Sequence, residues 1–418
     1  MENAASLATG PDGRKRRVSY FFEPEFGQPR EPYASHIANS LIFKHGLHRH
    51  MEIYRPILAG VSDFLRFHSR DYIDFLASIT PMTLNDPSFF HNLRRSRFFS
   101  NDVYMDREMN GPVFHGLFDY CRAYAGCSLT AAAKLNRRET DIAINWSGGM
   151  HRAKFDQATE FCFVNDIVLA ILELLKTFKR VLYIDIGYRR GDGVEEAFYD
   201  TDRVMTVSFH TDWDTFAFFP RYGGRRELYG DRRELYSLNA PLKDCLKDKS
   251  LRNLFRPVIT KAMEVYQPEV VVLQCGADSL ADNWPGRFNL KIKGHGDCLQ
   301  FVRSFNVPLM VLGGGGSEPR FVSRCWCYET AVAVGVGEQL ENDLKVNEFF
   351  YKPNFKQDLN TPRDIEILRN GLLRKLSQLI HVPSVQFQDT PSMRQATEPA
   401  EVDMEKRQVL SNLRRSKL

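Results

Sequence analysis

The stretch Val181-Leu-Tyr-Ile-Asp-Ile186, running into Gly187-Tyr-Arg-Arg-Gly-Asp-Gly193, decides the fold. A short, largely apolar run that breaks into glycines reads as a strand buried on both faces and ending in a turn. Four further segments share the pattern: Asp141–Trp146, Val204–Phe209, Val270–Cys275 and Val307–Leu312. Between them, Val164–Lys179, Leu251–Tyr266 and residues near 294 to 305 have helical spacing. The first of these helices is apolar almost all round and is expected to be buried. Strands alternating with helices imply an α/β fold, a central parallel sheet with helices on both faces. The alternation continues to about residue 335, which favours one large domain.

The flanks are simpler. Residues 31 to 136 read as helical, from Ile37-Leu41-Ile42 and Tyr72-Phe75-Leu76, with a long loop at Phe89–Met109. Thr361-Pro362 opens a last helix with an N-cap and a first-turn proline. Its apolar stripe is Ile365, Leu368, Leu372, Leu376 and Leu379. The expected organisation is a disordered basic start at 1–17, a folded domain at 18–380 and a disordered polar tail at 381–418.

Of the 418 residues, 43% are hydrophobic and 26% charged, which excludes wholesale disorder, collagen and coiled coil. The net charge of +4 is too small to argue for direct DNA binding. The apolar run Ile167–Leu175 is interrupted by Glu173 and too short to span a bilayer, and no apolar stretch follows Met1. Eight scattered cysteines fit a reducing compartment. Two address-like signals remain. Arg14-Lys-Arg-Arg17 reads either as a nuclear import patch or as a solvated basic start. Ser416-Lys417-Leu418 matches the peroxisomal tripeptide.

Ligands of open parallel sheets bind beyond the carboxyl ends of the strands. Those ends collect Ser147-Gly-Gly-Met-His151-Arg152, Asp185, Gly187–Gly193, Ser208-Phe-His210, Cys275-Gly-Ala-Asp278 and Gly313-Gly-Gly-Gly-Ser317. Each residue also has an ordinary reading. His151 is a packing residue, Asp192 a turn former, and Asp278 a helix cap. The four glycines lack a following Lys-Ser/Thr, so they are not a P-loop. His45, His48 and His50 are too close together for one helix face and read as a surface cluster. The residues alone therefore give an α/β protein with an acidic pocket on its strand ends.

Several motifs together resemble the class I histone deacetylases: Ala143-Ile-Asn-Trp-Ser-Gly-Gly-Met-His151, Phe161-Cys-Phe-Val-Asn-Asp166, Arg180-Val-Leu-Tyr-Ile-Asp185, Gly191-Asp-Gly-Val-Glu-Glu-Ala-Phe198, Gln274-Cys-Gly-Ala-Asp-Ser279, Gly313–Gly316 and Arg324-Cys-Trp326. The resemblance runs from about Lys15 to Ile380, and Lys15-Arg-Arg-Val-Ser-Tyr20 looks like the plant branch. It implies the arginase/deacetylase fold, with a narrow tunnel leading to a zinc ion. Such enzymes hydrolyse the acetyl-lysine amide with a zinc-bound water, a His pair and an oxyanion-binding Tyr.

The chain departs from that pattern where the chemistry sits. Of the three zinc-ligand positions only Asp278 matches, because Gly187 and Arg189 occupy the other two. Glycine has no ligating side chain, and a guanidinium offers no lone pair. The His pair becomes His151-Arg152, the oxyanion Tyr becomes Ser317, and the tunnel glycine becomes Glu160. The rim Asp becomes Asn110, and Trp284 stands at a basic inositol-phosphate position whose companion Arg324 persists. Matching remnants are His151, its partner Asp185, Asp192 without its His, and tunnel residues Phe161 and Phe219. Asp185 and Ser208 match a monovalent-cation site.

The expectation is a catalytically inactive deacetylase homologue, requiring no cofactor, that binds corepressor or other deacetylase subunits in transcriptional repression. Histone tails are possible further ligands. The alternative is an active zinc-dependent histone deacetylase. The resemblance implies the nucleus, with cytoplasm, and the last three residues imply peroxisomes. An arginine at a former ligand position leads us to expect Arg189 or Arg190, with Arg152, to replace the metal's charge beside Asp278 or Asp185.

Overall fold

The computed structural model describes residues 15–23, 33–84, 98, 113–211, 235–281, 288–340 and 357–379. Within these, eight strands form one sheet: β1 (Val18–Phe21), β2 (Glu52–Tyr54), β3 (Ile142–Asn145), β4 (Val181–Asp185), β5 (Val204–Thr211), β6 (Ser237–Leu242), β7 (Val270–Gln274) and β8 (Leu309–Leu312). All pairings are parallel, in the order β2-β1-β3-β8-β7-β4-β5-β6. The five strands expected from the sequence are β3, β4, β5, β7 and β8. The other three carry weaker signals. β2 has only three residues, two of them exposed, inside a region that reads as helical. β6 alternates buried Leu238, Ala240 and Leu242 with half-buried residues, and its Pro241 is tolerated because β6 is an edge strand.

Strand side chains alternate between the two faces, so each face has its own helices. Ile142 and Ile144, Leu182 and Ile184, and Val271 and Leu273 pack on one side. That side is covered by α1 (Tyr33–Lys44), α6 (Asp248–Tyr266), α7 (Ile292–Arg303), α8 (Pro319–Val334) and α9 (Pro362–Ser377). Ala143, Tyr183, Val272 and Met310 point to the other side, under α3 (Leu117–Asn136), α4 (Asp166–Leu174) and α5 (Asp192–Phe198). A short α2 (Arg70–Ser78) packs Tyr72, Ile73 and Leu76 against the outside of α3 and α4. The all-round apolar helix is α4, which is shorter than its sequence pattern and capped by the Asn165 side chain on the Val168 amide. Thr361 and Asp364 form the capping box of α9, with Pro362 at its first turn.

Lys15 to Arg17 belong to the fold, although the sequence reads as a mobile start through residue 17. Arg16 is buried and donates to the carbonyls of Arg303 (3.2 Å), Asp141 (3.0 Å) and Val307 (2.7 Å). It ties the chain's entry to the amino ends of β3 and β8. Burial, helped by the nearby Arg303, lowers its pKa to about 10, so the guanidinium stays charged at neutral pH. Arg17 lies in the open, paired to Asp141 at 3.2 Å. The two neighbours should differ sharply on substitution. Arg16→Ala strands three carbonyls and should cost roughly 3 kcal/mol in urea unfolding. Arg17→Ala should cost less than about 1 kcal/mol. Equal losses would contradict the docking of Arg16.

Candidate active site

The five central strands place their carboxyl-end loops side by side, so sequence order is unscrambled at one rim. Two glycine-dependent crossings bring the loops together. Gly149 holds φ +101, and a Cβ there would lie 2.5 Å from the backbone of Gly313. Gly314 holds φ +137, and a Cβ there would lie 2.1 Å from Gln274 Nε2. The turn before His151 hangs on Asp166. That carboxylate accepts from the amides of Gly149 (3.0 Å) and Met150 (2.9 Å) and from the Ser128 hydroxyl (2.6 Å). Burial nevertheless raises the Asp166 pKa.

His151 is buried, with Nδ1 2.7 Å from Asp185 Oδ2. The same oxygen accepts from the Tyr183 hydroxyl (2.8 Å), and Oδ1 accepts from the Gly187 amide (3.0 Å). Burial opposes charging the imidazole, but the Asp185 carboxylate, its hydrogen bond and the nearby Asp278 prevail and raise its pKa. Asp278 Oδ1 accepts from the Tyr188 amide at 3.0 Å. Burial raises the Asp278 pKa against that bond and against the positive charges of His151 and Arg189. The β4–β5 register sets Asp185 opposite Ser208, whose hydroxyl lies 3.0 Å from His210 Nδ1.

The expectation that Arg189 or Arg190 lies near Asp278 or Asp185 is met in part: the charge of Arg189 acts on Asp278, while its hydrogen-bonding reach goes to Glu160. Arg190 pairs with Glu195 at 2.6 Å, inside a buried group completed by Ser237 and Asn239. Arg189 Nη2 pairs with Glu160 Oε1 at 3.1 Å and reaches Asp278 only through space. Arg152 Nη1 pairs with the same Glu160 oxygen at 2.9 Å. Its Nε lies 3.5 Å from Asp192 Oδ1. His151 is the hydrogen-bonded partner of Asp185, and both His151 and Arg189 act on Asp278. Arg152 and Arg189 also share Glu160, a half-buried acid whose charge needs partners.

Glu160 stands at φ +53, a left-handed conformation that costs a residue with a Cβ about 1–2 kcal/mol. This explains why a glycine fits there, and two ion pairs offset the strain. Phe161, next in the chain, is 53% exposed. Ser317 is exposed in the turn after the four glycines. Phe219, Asn110, Trp284, Arg14 and the tail from 380 to 418 lie outside the described residues.

The donor set does not fit a catalytic zinc. Asp278 supplies one carboxylate, Gly187 supplies nothing, and the Arg189 guanidinium can only donate. A Cβ on Gly187 would lie 3.1 Å from Gln274 Oε1 and 3.2 Å from Asp185 Oδ1. A carboxylate restored there without a cation would face two others. Its absence spares the pocket a third negative charge.

One group went unnoticed in the sequence. His295 on α7 lies with Nδ1 2.7 Å from Glu329 Oε1 on α8 and Nε2 3.1 Å from the carbonyl of Gly276. Both partners are acceptors, so the ring carries both protons. Burial opposes that charge, and neighbouring Cys325 and Glu329 override it. Burial pushes the Cys325 thiol up to about 11. His295, Cys325 and Glu329 bring donor atoms within 4.8 Å of one another. With Nδ1 committed to Glu329 and the thiol protonated, they act as a charged clamp on the loop that carries Asp278. The visible signal is a histidine between glycines, Gly294-His-Gly296, in an otherwise apolar helix stripe.

The His151–Asp185 pair makes a testable statement about pH. A histidine whose folded pKa is raised adds stability below its ordinary value near 6.5, and loses that contribution as pH rises through the folded pKa. Asp185→Asn should lower the His151 pKa in a histidine NMR titration, and should destabilise the protein more at about pH 6 than at about pH 9. An unmoved titration would mean that Asp185 does not hold the ring's proton.

Comparison with known proteins matches this arrangement. Residues 29–333 match the family model described as the histone deacetylase domain. Histone deacetylase 7 of Arabidopsis thaliana is 60% identical, covering 96% of this chain and 98% of the relative. Histone deacetylase 6 of the same plant is 56% identical, over 97% of this chain and 87% of the relative. Histone deacetylase 2 of rice is 46% identical, over 96% and 79%. With the motifs on adjacent strand ends of one parallel sheet, and relatives of this kind along nearly the whole length, the chain belongs to the histone deacetylase family, in its plant class I branch.

Proposed function

We propose that this chain is a deacetylase homologue without zinc-dependent hydrolysis, working as a partner-binding subunit in transcriptional repression. The carrying observation is the donor set at the pocket floor: Asp278 alone, with Gly187 and an Arg189 committed to Glu160. Two further steps of the chemistry lack their groups. Arg152 cannot accept a proton as the second histidine would. Ser317 is exposed and too short to reach a developing oxyanion across the gap a tyrosine spans.

The retained scaffold supports the binding role. The continuous sheet, the His151–Asp185 pair and the His295–Glu329 pair support an intact folded scaffold on which partners can dock. We assign to it the partner classes of the family: corepressor subunits, other deacetylases and histone tails, in nucleus and cytoplasm. Among the described residues no helix is long and apolar enough to cross a membrane. The monovalent-cation reading at Asp185 and Ser208 stands as part of this proposal. Relatives called histone deacetylases favour the opposing reading, an active enzyme. Turnover decides between the two.

On an acetyl-lysine histone peptide the purified chain should stay at background. Gly187→Asp, Arg189→His, Arg152→His and Ser317→Tyr rebuild ligands, base and oxyanion donor, but leave Glu160 without both cations at a strained backbone. Adding Glu160→Gly should therefore be required before any deacetylation returns, and partial sets should remain near background because such groups act as a unit. Turnover by the unaltered chain would refute the proposal. Recovery without Glu160→Gly would refute the assigned role of that residue. Co-purification of repressor-complex subunits from plant nuclei is the expected companion result.

A further inference from the structure

Three departures from the family pattern, at positions 152, 160 and 189, meet at one atom. Glu160 Oε1 lies 2.9 Å from Arg152 Nη1 and 3.1 Å from Arg189 Nη2. The two guanidiniums come from different strand ends, one after β3 and one after β4, and the carboxylate comes from a third turn. Arg152 is buried, with Nε 3.5 Å from Asp192 Oδ1, an ion-pair contact longer than a hydrogen bond, and the other Asp192 oxygen faces Lys154 at 3.3 Å. Arg189 lies over the ring of Tyr188, with its guanidinium carbon 5.1 Å from the ring centre. Both arginines are thus held by contacts that do not involve Glu160. The second oxygen of Glu160 makes no hydrogen bond among the described residues, and its side chain is partly open to solvent.

Two braced guanidiniums converging on a single carboxylate oxygen form a carboxylate receptor. Its present occupant sits on a backbone conformation that favours glycine, so it is held in place by its charge and against its conformation. We infer that the remodelled pocket is a binding site for a carboxylate carried on a flexible arm, and that Glu160 is its tethered stand-in. The class of ligand is a short dicarboxylate, free or as the acyl group of an acidic acyl-lysine. Half-exposed Phe161 offers apolar surface to the methylenes of such an arm. A neutral acetyl group would not replace the ion pairs that Glu160 makes with both arginines, so the pocket selects against the family's usual acyl group.

Titration calorimetry on the full chain, with a chelator present, tests this independently of zinc content and turnover. The probes are free glutarate, a glutaryl-lysine peptide and the matching acetyl-lysine peptide. Glu160→Gly removes the competitor and relieves the backbone, and Asp192 and the Tyr188 ring still hold Arg152 and Arg189, so the variant should fold. It should bind glutarate or the glutaryl-lysine peptide roughly tenfold more tightly than the unaltered chain does, the weight of one displaced charge-assisted pair. Binding of the peptide alone identifies an acyl-lysine ligand; binding of both admits the free acid. Adding Arg189→Gln to Glu160→Gly should abolish the gain. A folded Glu160→Gly that prefers neither acidic probe over the acetyl-lysine peptide overturns the inference. So does a gain that survives Arg189→Gln.

Discussion

The ion-pair group of Arg152, Glu160 and Arg189 is the interaction around which the rest of the pocket is arranged. A buried or half-buried charge is tolerated only with a partner. Glu160 pairs with both arginines through one oxygen. Together they balance, with Asp192 behind Arg152 and Lys154 between Asp192 and Glu196. The three positions therefore read as one coupled change.

The scaffold beneath has different supports. His151 and Asp185 are held by Tyr183 and the Gly187 amide, none of which depends on a metal ion. The loop bearing Asp278 is gripped from the rear by the His295–Glu329 pair through the Gly276 carbonyl. Trp146 and Trp326 stack with ring centres 5.6 Å apart and donate to Thr330 and the Cys275 carbonyl, which locks α8 under β3 and β7. These contacts lie one layer below the pocket wall. The wall can be replaced while the fold persists.

The sequence made the architecture legible wherever burial was complete on both faces, as in β4, β7 and α4, because an apolar run without a polar face has to be enclosed on every side. It was silent on β2, where three half-exposed residues carry no pattern, and on β6, which tolerates a proline as an edge strand. That Gly187 and Arg189 offer no metal-ligating atom could be read directly, since ligand chemistry is a property of residue type. The direction of the arginines could not. Proximity to Asp278 along the rim suggested charge replacement there, but Glu160 competes for both guanidiniums, and only three-dimensional distance reveals that competition. His295 escaped for the same reason: its partners lie 34 residues away on α8 and 19 residues away after β7.

Metal content tests the account most directly. Elemental analysis of the full chain, purified without chelator and dialysed against trace zinc, should give far less than one zinc per chain, because one carboxylate beside an ion-paired arginine cannot hold the ion. A stoichiometric zinc that survives dialysis would contradict the claim that these substitutions rebuilt the pocket as an ion-pair site.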